Sequence, residues 1–483
     1  MPLILPARTL DSSYEITNSL RFSDSNYLTR TNTTQSGAGT NFTFSAWLKM
    51  TTFDDGGYQG IFAIIMDSND YFEIYKDNSE KLQICQNING SNVCYQNQDF
   101  MYRDYSAWYH LVVSFDNSAS GEINKIKTYV NGQEISADEK VTNSNPFGDV
   151  GLGNSNYNTR VGAYRDNNTA TWNGYMSDVY LIAGQTLGAS EFGKTDSNGV
   201  WVPKEYTGSF GDNGFFLEFK QSGTGTNSSG MGADTSGEDN HFAVTGLSAV
   251  DVTQDTPTNN FCTLNPVFRT VLTLSEGNTK IGNGTDNRTI LATQHSKAGY
   301  YEMKYGGVAL SNGAGFRCGI VSWDDHSDLE ADGMTLNYNS TGDRFYLNNT
   351  SSAQYRKYHP DSTINLGTSK WNAPATTDII GVAWRYASPN GIWFSVNGVW
   401  YNGSGTASTT LDTSNPDFSI NDKQYIPYFI SSLTGGNDCV MNFGNPPYAN
   451  SSSNSDANGY GDFEYPVPSG FYALCTKNLA EYG

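Results

Sequence analysis

Apolar runs in this chain are short, and clusters of Asn, Gly and Asp separate them. From residue 19 to about 192 come SLRFSDSNYLTR, FTFSAWLKM, GIFAIIM, YFEIYKD, KLQICQN, SNVCYQN, WYHLVVSFD, KIKTYVNGQEI, TRVGAYRD and WNGYMSDVYLI. Each run has strand length, and turn residues follow at a spacing that fits a sandwich or barrel and leaves no room for βαβ units. Only QTLGASEFG, residues 185–193, has the character of a short helical turn. The chain is therefore read as all-β.

One stretch sets a register outright. In GIWFSVNGVWYNGSG, residues 391–405, Asn397-Gly398 is a two-residue hairpin loop, because both positions of such a turn need positive φ. Val396 then faces Val399, Ser395 faces Trp400, and Phe394 faces Tyr401. Side chains alternate across a strand, so Ile392, Phe394, Val396, Val399 and Tyr401 form a core face. Trp393 and Trp400 fall on the opposite face, which three arrangements explain: cover by loops of the same domain, contact with another domain or subunit, or an exposed aromatic platform. Burial is the expectation, with Trp393 and Trp400 as an assembly or packing face.

The same reasoning applies to LQICQNINGSNVCY, where an Asn89-Gly90 turn sets Cys85 opposite Cys94. Directly opposed residues at a non-hydrogen-bonded pair lie about 4.5 Å apart, within disulfide reach. A cross-strand disulfide and a pair of buried thiols both fit. None of the six cysteines makes a C-x-x-C pair, which leaves zinc and thioredoxin chemistry without support.

At 483 residues the chain is too long for one core. Its net charge of −21 disfavours nucleic acid and anionic membrane as partners. Yet only 16% of residues are charged, so the polar surface is chiefly Asn, Ser, Thr and Gly. No run reaches the ~18 apolar residues of a membrane helix, and no membrane insertion is expected. The opening MPLILPARTL lacks a basic region and makes a poor signal peptide, so synthesis in a cytosol is expected.

Reactive motifs are missing. Five histidines are scattered without H-E-x-x-H spacing, and His110, inside WYHLVV, reads as structural. There is no G-x-S-x-G elbow and no Walker or dinucleotide glycine pattern.

Four stretches in register, SLRFSDSNYL, FTFSAWLKM, WYHLVVSFD with KIKTYVNGQEI, and RVGAYRDNNTATWNGYMSDVYLIAGQTLGASEF, resemble laminin-G-like domains of the concanavalin A-like lectin/glucanase superfamily. The family often carries two acidic residues after the Gly-x-Met step; here Ser177 precedes Asp178. Hydrolases of that superfamily carry E-x-D-x-x-E, whose alternate carboxylates project from one strand face. The nearest approach is EADGMT at 330–335, which lacks the last Glu, so no catalytic residue is assigned and no enzyme is expected. From 298 onward AGYYEMKY, FRCGIVSW, DIIGVAWRY, the hairpin above, QYIPYFISS and CVMNFGNPPY follow in the order of a SPRY domain, a two-sheet binding module. FGKTDSNGVWVPKEYTGSFGDNGFFLEF and DTPTNNFCTLNP resemble sequence beside such domains in fibre proteins of bacteriophages of marine bacteria.

These resemblances imply tandem β-sandwiches: an arm at 1–18 as a virion anchor, a laminin-G-like jelly roll at 19–193, a connecting segment at 194–262 with a linker-like run at 222–240, and a SPRY-like sandwich at 263–483. NNFCTLNP and GFYALCTKNL are expected as adjacent strands closing the last of these, with Cys262 near Cys475. The implied role is a tail or head fibre adsorbing to a host surface glycan. Its partners would be other virion proteins, with a homotrimer typical of fibres; a capsid-cementing protein and a glycan depolymerase are the alternatives. Tyr58, Tyr157, Tyr164 and Trp172, on or beside loops, are the glycan-binding candidates. No cofactor is required. Calcium is the one metal considered, at Asp54, Asp55, Asp67, Asp70 and Asp166, with Asp324, Asp325 and Asp328 as a second acidic cluster. Turn-capping by the same aspartates is the competing explanation.

Overall fold

The computed structural model describes residues 14–482 except 24, 52–56, 136–144, 166–169, 269–272, 283–287, 307–314, 326–342, 351–353, 360–361, 365–376 and 433–437. The protein is all-β: the described residues hold a single α-helix, Thr476–Tyr482, and two units divide the chain between Thr258 and Asn259.

In the unit ending at Thr258, one sheet runs in the order Gln133–Ile135, Ile126–Val130, Tyr109–Asp116, Asn41–Met50, Gly174–Ala183, Ser19–Phe22 and Val252–Thr253, with Phe215–Leu217 also paired to Gly174–Ala183. The facing sheet runs Ala243–Thr245, Tyr27–Thr31, Asn158–Val161, Gln59–Ile65, Tyr71–Lys76, Lys81–Ile88 and Ser91–Met101. Alternation sends Phe42, Phe44, Ala46 and Leu48 inward to meet Phe62, Ile64, Phe72 and Ile74, and this is the core of the sandwich.

The outer face of the first sheet is not wet. Thr43, Ser45, Trp47 and Lys49 point away from that core and are nonetheless buried, because residues 185–258 lie over them. This corrects the reading of 194–262 as a connecting segment. Phe215, Leu217, Phe219, Met231 and Phe242 enter the sandwich core, while Phe192, Tyr206 and Phe216 pack on Tyr180 from outside. The run at 222–240 is not a linker: Asp234 accepts hydrogen bonds from the backbone of Phe216, Ser236 and Asn240. Part of the arm is also integral, since Ile16 is buried with Trp47, Trp108 and Tyr175, and Tyr14 donates to Asp178 at 2.9 Å. Residues 1–13 of the arm lie outside the described residues.

Two buried groups of this unit titrate abnormally, in opposite senses. His110 stacks on Trp47, and its Nδ1 accepts from Trp201 Nε1 at 3.0 Å, so the proton sits on Nε2 and is donated to Ser45 Oγ at 2.9 Å. Burial pushes this imidazole down to about 3. Asp178 occupies a bulge of its strand at φ 44°, and burial pushes its carboxyl up to about 7 against the Tyr14 hydrogen bond. The His110 contribution to stability is present above its ordinary value and lost as pH falls from 6.5 toward 3. The Asp178 contribution is present below 3.8 and lost as pH rises to about 7. The two offset each other where the windows overlap. Asp178→Asn is therefore expected to unmask His110, making this unit lose up to ~1.4 kcal/mol per pH unit on acidification below neutrality. Urea unfolding across that range checks it, and a variant that tracks wild type at constant offset would contradict the assignment.

The other unit, from Asn259, has its own two sheets. One runs Leu274–Ser275, Lys280–Ile281, Cys439–Asn442, Ala298–Tyr305, Ile379–Arg385, Gly391–Val396, Val399–Tyr401 and Ala407–Ser408. The other runs Arg288–Leu291, Tyr425–Ser432, Gly315–Ser322, Arg344–Thr350, Gln354–His359 and Ser362–Ile364. The hairpin register is as expected, with Ser395 opposite Trp400, Val396 opposite Val399, and positive φ at Asn397 (50°) and Gly398 (73°). Ile392, Phe394 and Val396 face the core between the sheets.

Trp393 and Trp400 are 1% and 5% exposed on the reverse face, under Phe463, Phe471 and Ala473 of the same unit. Trp393 meets Phe471 edge-on at 5.5 Å and donates from Nε1 to the Asp412 carbonyl at 3.1 Å. Glu302 secures the cover by accepting from the backbone N–H of Glu464 and Tyr465, each at 2.9 Å. Of the three arrangements, cover within the domain is the one found; neither ring is offered to a partner or ligand. The termini of the unit pair as anticipated, Phe261 opposite Cys475 with Cys262 N donating to the Leu474 carbonyl, and both cysteines are free thiols.

Candidate functional site

The strand Tyr71–Lys76 alternates Phe72 and Ile74 into the core, so Tyr71, Glu73 and Tyr75 stand on the outer face of the second sheet. Beside them the chain leaves Asn158–Val161 and turns back through Ala163–Arg165. That close return depends on Gly60, where a Cβ would lie 1.9 Å from the Tyr164 backbone nitrogen. A bulge at the same point, between Gly60 and Phe62, re-aims the strand start that carries Tyr58.

Four planar groups then stack in a row. The Arg165 guanidinium lies 4.4 Å from the Tyr71 ring centroid and 4.6 Å from that of Tyr164. Tyr58 stacks on Tyr164 at 5.8 Å and 20°. Tyr75 closes the row from the side, edge-on to Tyr164 at 5.0 Å and to Tyr58 at 5.4 Å. Arg165 also donates to the buried Glu73 carboxylate at 2.9 Å, which fixes the guanidinium plane between its two rings. Burial raises the Tyr71, Tyr75 and Tyr164 phenols, with the Glu73 charge adding to it, so all three stay protonated donors. Cys85 and Cys94 are directly opposite and disulfide-bonded, with Sγ of Cys85 3.5 Å from the Tyr75 hydroxyl. Tyr58, 48% exposed, is the open end of the row.

Of the four aromatic candidates, the fold joins only Tyr58 and Tyr164. Tyr157 lies at the other end of the strand pair Asn158–Val161 and Gln59–Ile65, where its ring covers Gly151. Trp172 is corrected outright: it is 1% exposed within the sandwich core, so it has no surface to offer. Missed from the sequence were Tyr71, Glu73, Tyr75 and Arg165. The period-2 pattern of YFEIYK carried the first three, but which face was outermost depended on the partner sheet.

Asp67 and Asp70 cap turns: Asp67 Oδ1 accepts from Asn69 N and Asp70 N, and Asp70 Oδ1 accepts from Asn89 N. Asp54, Asp55, Asp166 and Asp328 lie outside the described residues, as does 330–335. Among the described residues no group of three or more His, Cys, Asp or Glu is placed to hold a metal ion, and no helix is long and apolar enough to cross a membrane.

The two-sheet sandwich is a concanavalin A-like jelly roll, and residues 22–191 match the family described as the concanavalin A-like lectin/glucanases superfamily. Among solved structures the chain is similar to a heptameric SAP-like pentraxin from Limulus polyphemus, at 16% identity over 36% of this chain and 80% of that one, with a TM-score of 0.26. It is similar to domain 4 of an extracellular arabinanase from Geobacillus stearothermophilus in complex with arabinotriose, at 18% identity over 31% of this chain and 63% of that one, TM-score 0.24. It is also similar to tailspike protein 2 of the Escherichia coli O157:H7 bacteriophage CAB120, at 14% identity over 36% of this chain and 23% of that one, TM-score 0.27. No curated protein matches the chain.

Proposed function

We propose that this protein is a non-enzymatic component of a phage particle, a tail or head fibre, and that its lectin-type unit holds host surface glycan on the Tyr58 row. The observation that carries the reading is the stack Tyr71–Arg165–Tyr164–Tyr58 on the outer sheet face of a lectin fold, ending in an exposed ring. The exposed Tyr58 ring, held rigid by the buried Tyr164 and Tyr75 behind it, accepts the C–H face of a sugar ring, and the part-exposed Arg165 guanidinium lies in the same row. The placement on a virion rests on the fibre-like sequence at 192–219 and 255–266, and the second unit is read as a SPRY-like binding module on the strand order of its sequence. Other virion proteins are the proposed partners, with a trimer as the assembly and the arm at 1–18, of which Tyr14 and Ile16 pack on the lectin-type unit, as the attachment segment.

A capsid-cementing role drew its support from an open tryptophan face, which is covered here by Phe463 and Phe471. Purified protein is expected to block adsorption of the virus to host cells, and Tyr58→Ala to weaken that block about tenfold with an unchanged melting temperature. Undiminished blocking by the variant would sink the site, and no blocking by wild type would sink the adsorption role. Incubation with host polysaccharide is expected to release no new reducing ends; their appearance would restore the depolymerase. Calcium remains a proposal tested by EDTA: a lowered melting temperature of the lectin-type unit supports a bound ion, and an unchanged curve removes it.

A further inference from the structure

The second unit has an open groove beside, not beneath, the cover of the tryptophan face. Strands Ile379–Arg385 and Gly391–Val396 are joined by the loop 386–390, and the segment 414–419 runs alongside it. An open groove of about 520 Å³ lies between them, within the size range of small-ligand sites. Its walls are firmly held: Ile392 N donates to the Phe418 carbonyl and Asp417 N to the Ile392 carbonyl, each at 3.0 Å, and Asp417 Oδ2 accepts from Phe394 N at 2.9 Å.

The lining has a consistent chemistry. Tyr386, Pro389 and Pro416 supply flat apolar faces, and Tyr386 is 38% exposed. Between them, the Tyr386 hydroxyl, the Ser388 and Ser419 hydroxyls and the Asn390 amide oxygen have no hydrogen-bond partner among the described residues. No Lys, Arg, His, Asp or Glu lines the groove. Two cations stand behind the lining: Arg385 donates from Nε to the Pro389 carbonyl at 3.4 Å and lies over the Phe471 ring, and Lys297 sits 5.8 Å over the Tyr386 ring and is matched by Asp422 at 2.7 Å. Phosphate, sulfate and charged peptides would find no charged side chain in the lining to pair with, and a purely apolar ligand would strand the hydroxyls from water. A molecule with apolar C–H faces and a fringe of hydroxyls satisfies both halves of the lining.

We propose that the groove formed by 386–390 and 414–419 binds a neutral saccharide, as a second carbohydrate site independent of the Tyr58 row. The test is saturation-transfer NMR and titration of the full chain with lactose, maltose, cellobiose and chitobiose, with sialyllactose as the acidic control. At least one neutral disaccharide is expected to bind. Tyr386→Ala should weaken that binding about tenfold, Ser388→Ala less, both with unchanged melting temperature, and Tyr58→Ala should leave it unaltered. Absence of binding by every neutral sugar, affinity unaffected by Tyr386→Ala, or preference for sialyllactose would each overturn the groove. Loss on Tyr58→Ala alone would overturn it while leaving the lectin-type site standing.

Discussion

Asp255→Ala is expected to destabilise the unit ending at Thr258 by about 3–5 kcal/mol, because it breaks a buried ion pair by removing one partner. Lys49 projects from the outer face of its sheet and is fully buried, with Nζ 2.7 Å from Asp255 Oδ2. The other carboxylate oxygen accepts from Trp108 Nε1 at 3.1 Å, and the Asp255 carbonyl accepts from Ser19 Oγ at 2.6 Å. The carboxylate therefore ties the overlying segment 185–258 to the sheet. Urea unfolding followed by two probes, one for each unit, should show only this unit's midpoint falling. Lys49→Met with Asp255→Leu should recover much of the loss, since a matched apolar pair avoids desolvating either charge. A single variant as stable as wild type would show that the pair contributes nothing net.

Trp393→Ala should cost the other unit about 3–5 kcal/mol, the range for truncating a large buried aromatic. The ring fills the space beneath Phe471, and its removal also strands the Asp412 carbonyl that accepts its N–H. Loosening of the 456–475 cover should follow, read as faster amide exchange at Ala473, whose N–H is donated to Asp456 Oδ2. Tyr386→Ala, on the exposed groove, is the control and should change stability by no more than about 0.5 kcal/mol. A Trp393 variant with unchanged unfolding would contradict the burial described here.

The tryptophan pair shows where sequence reasoning stops. Period 2 and an Asn-Gly turn assigned each residue of the hairpin to a face, and the observed register agrees. What lies on that face is contributed by Phe463 and Phe471, some seventy residues further along the chain, and no local pattern announces it. Segment 194–258 is the same lesson in reverse. The Gly, Ser and Asp content of its run at 222–240 looks like linker, yet Phe242 just beyond it inserts into the sandwich beside Phe215 and Phe219, while Asp234 and Asn240 supply hydrogen bonds in place of sheet pairing. Trp172 departs from expectation for a related reason: Thr171 and Asn173 flank it as in a loop, but the ring turns inward.

The sequence by itself determined the all-β class, the strand alternation, the Asn397-Gly398 register and the opposition of Cys85 to Cys94, because turns and pleats are set by neighbours within a few residues. Only the tertiary structure decided which faces are wet, since burial depends on segments remote in sequence. That is why the Tyr58–Tyr164–Arg165–Tyr71 row and the Tyr386 groove emerge from the fold, and why Trp172, Trp393 and Trp400 withdraw into it.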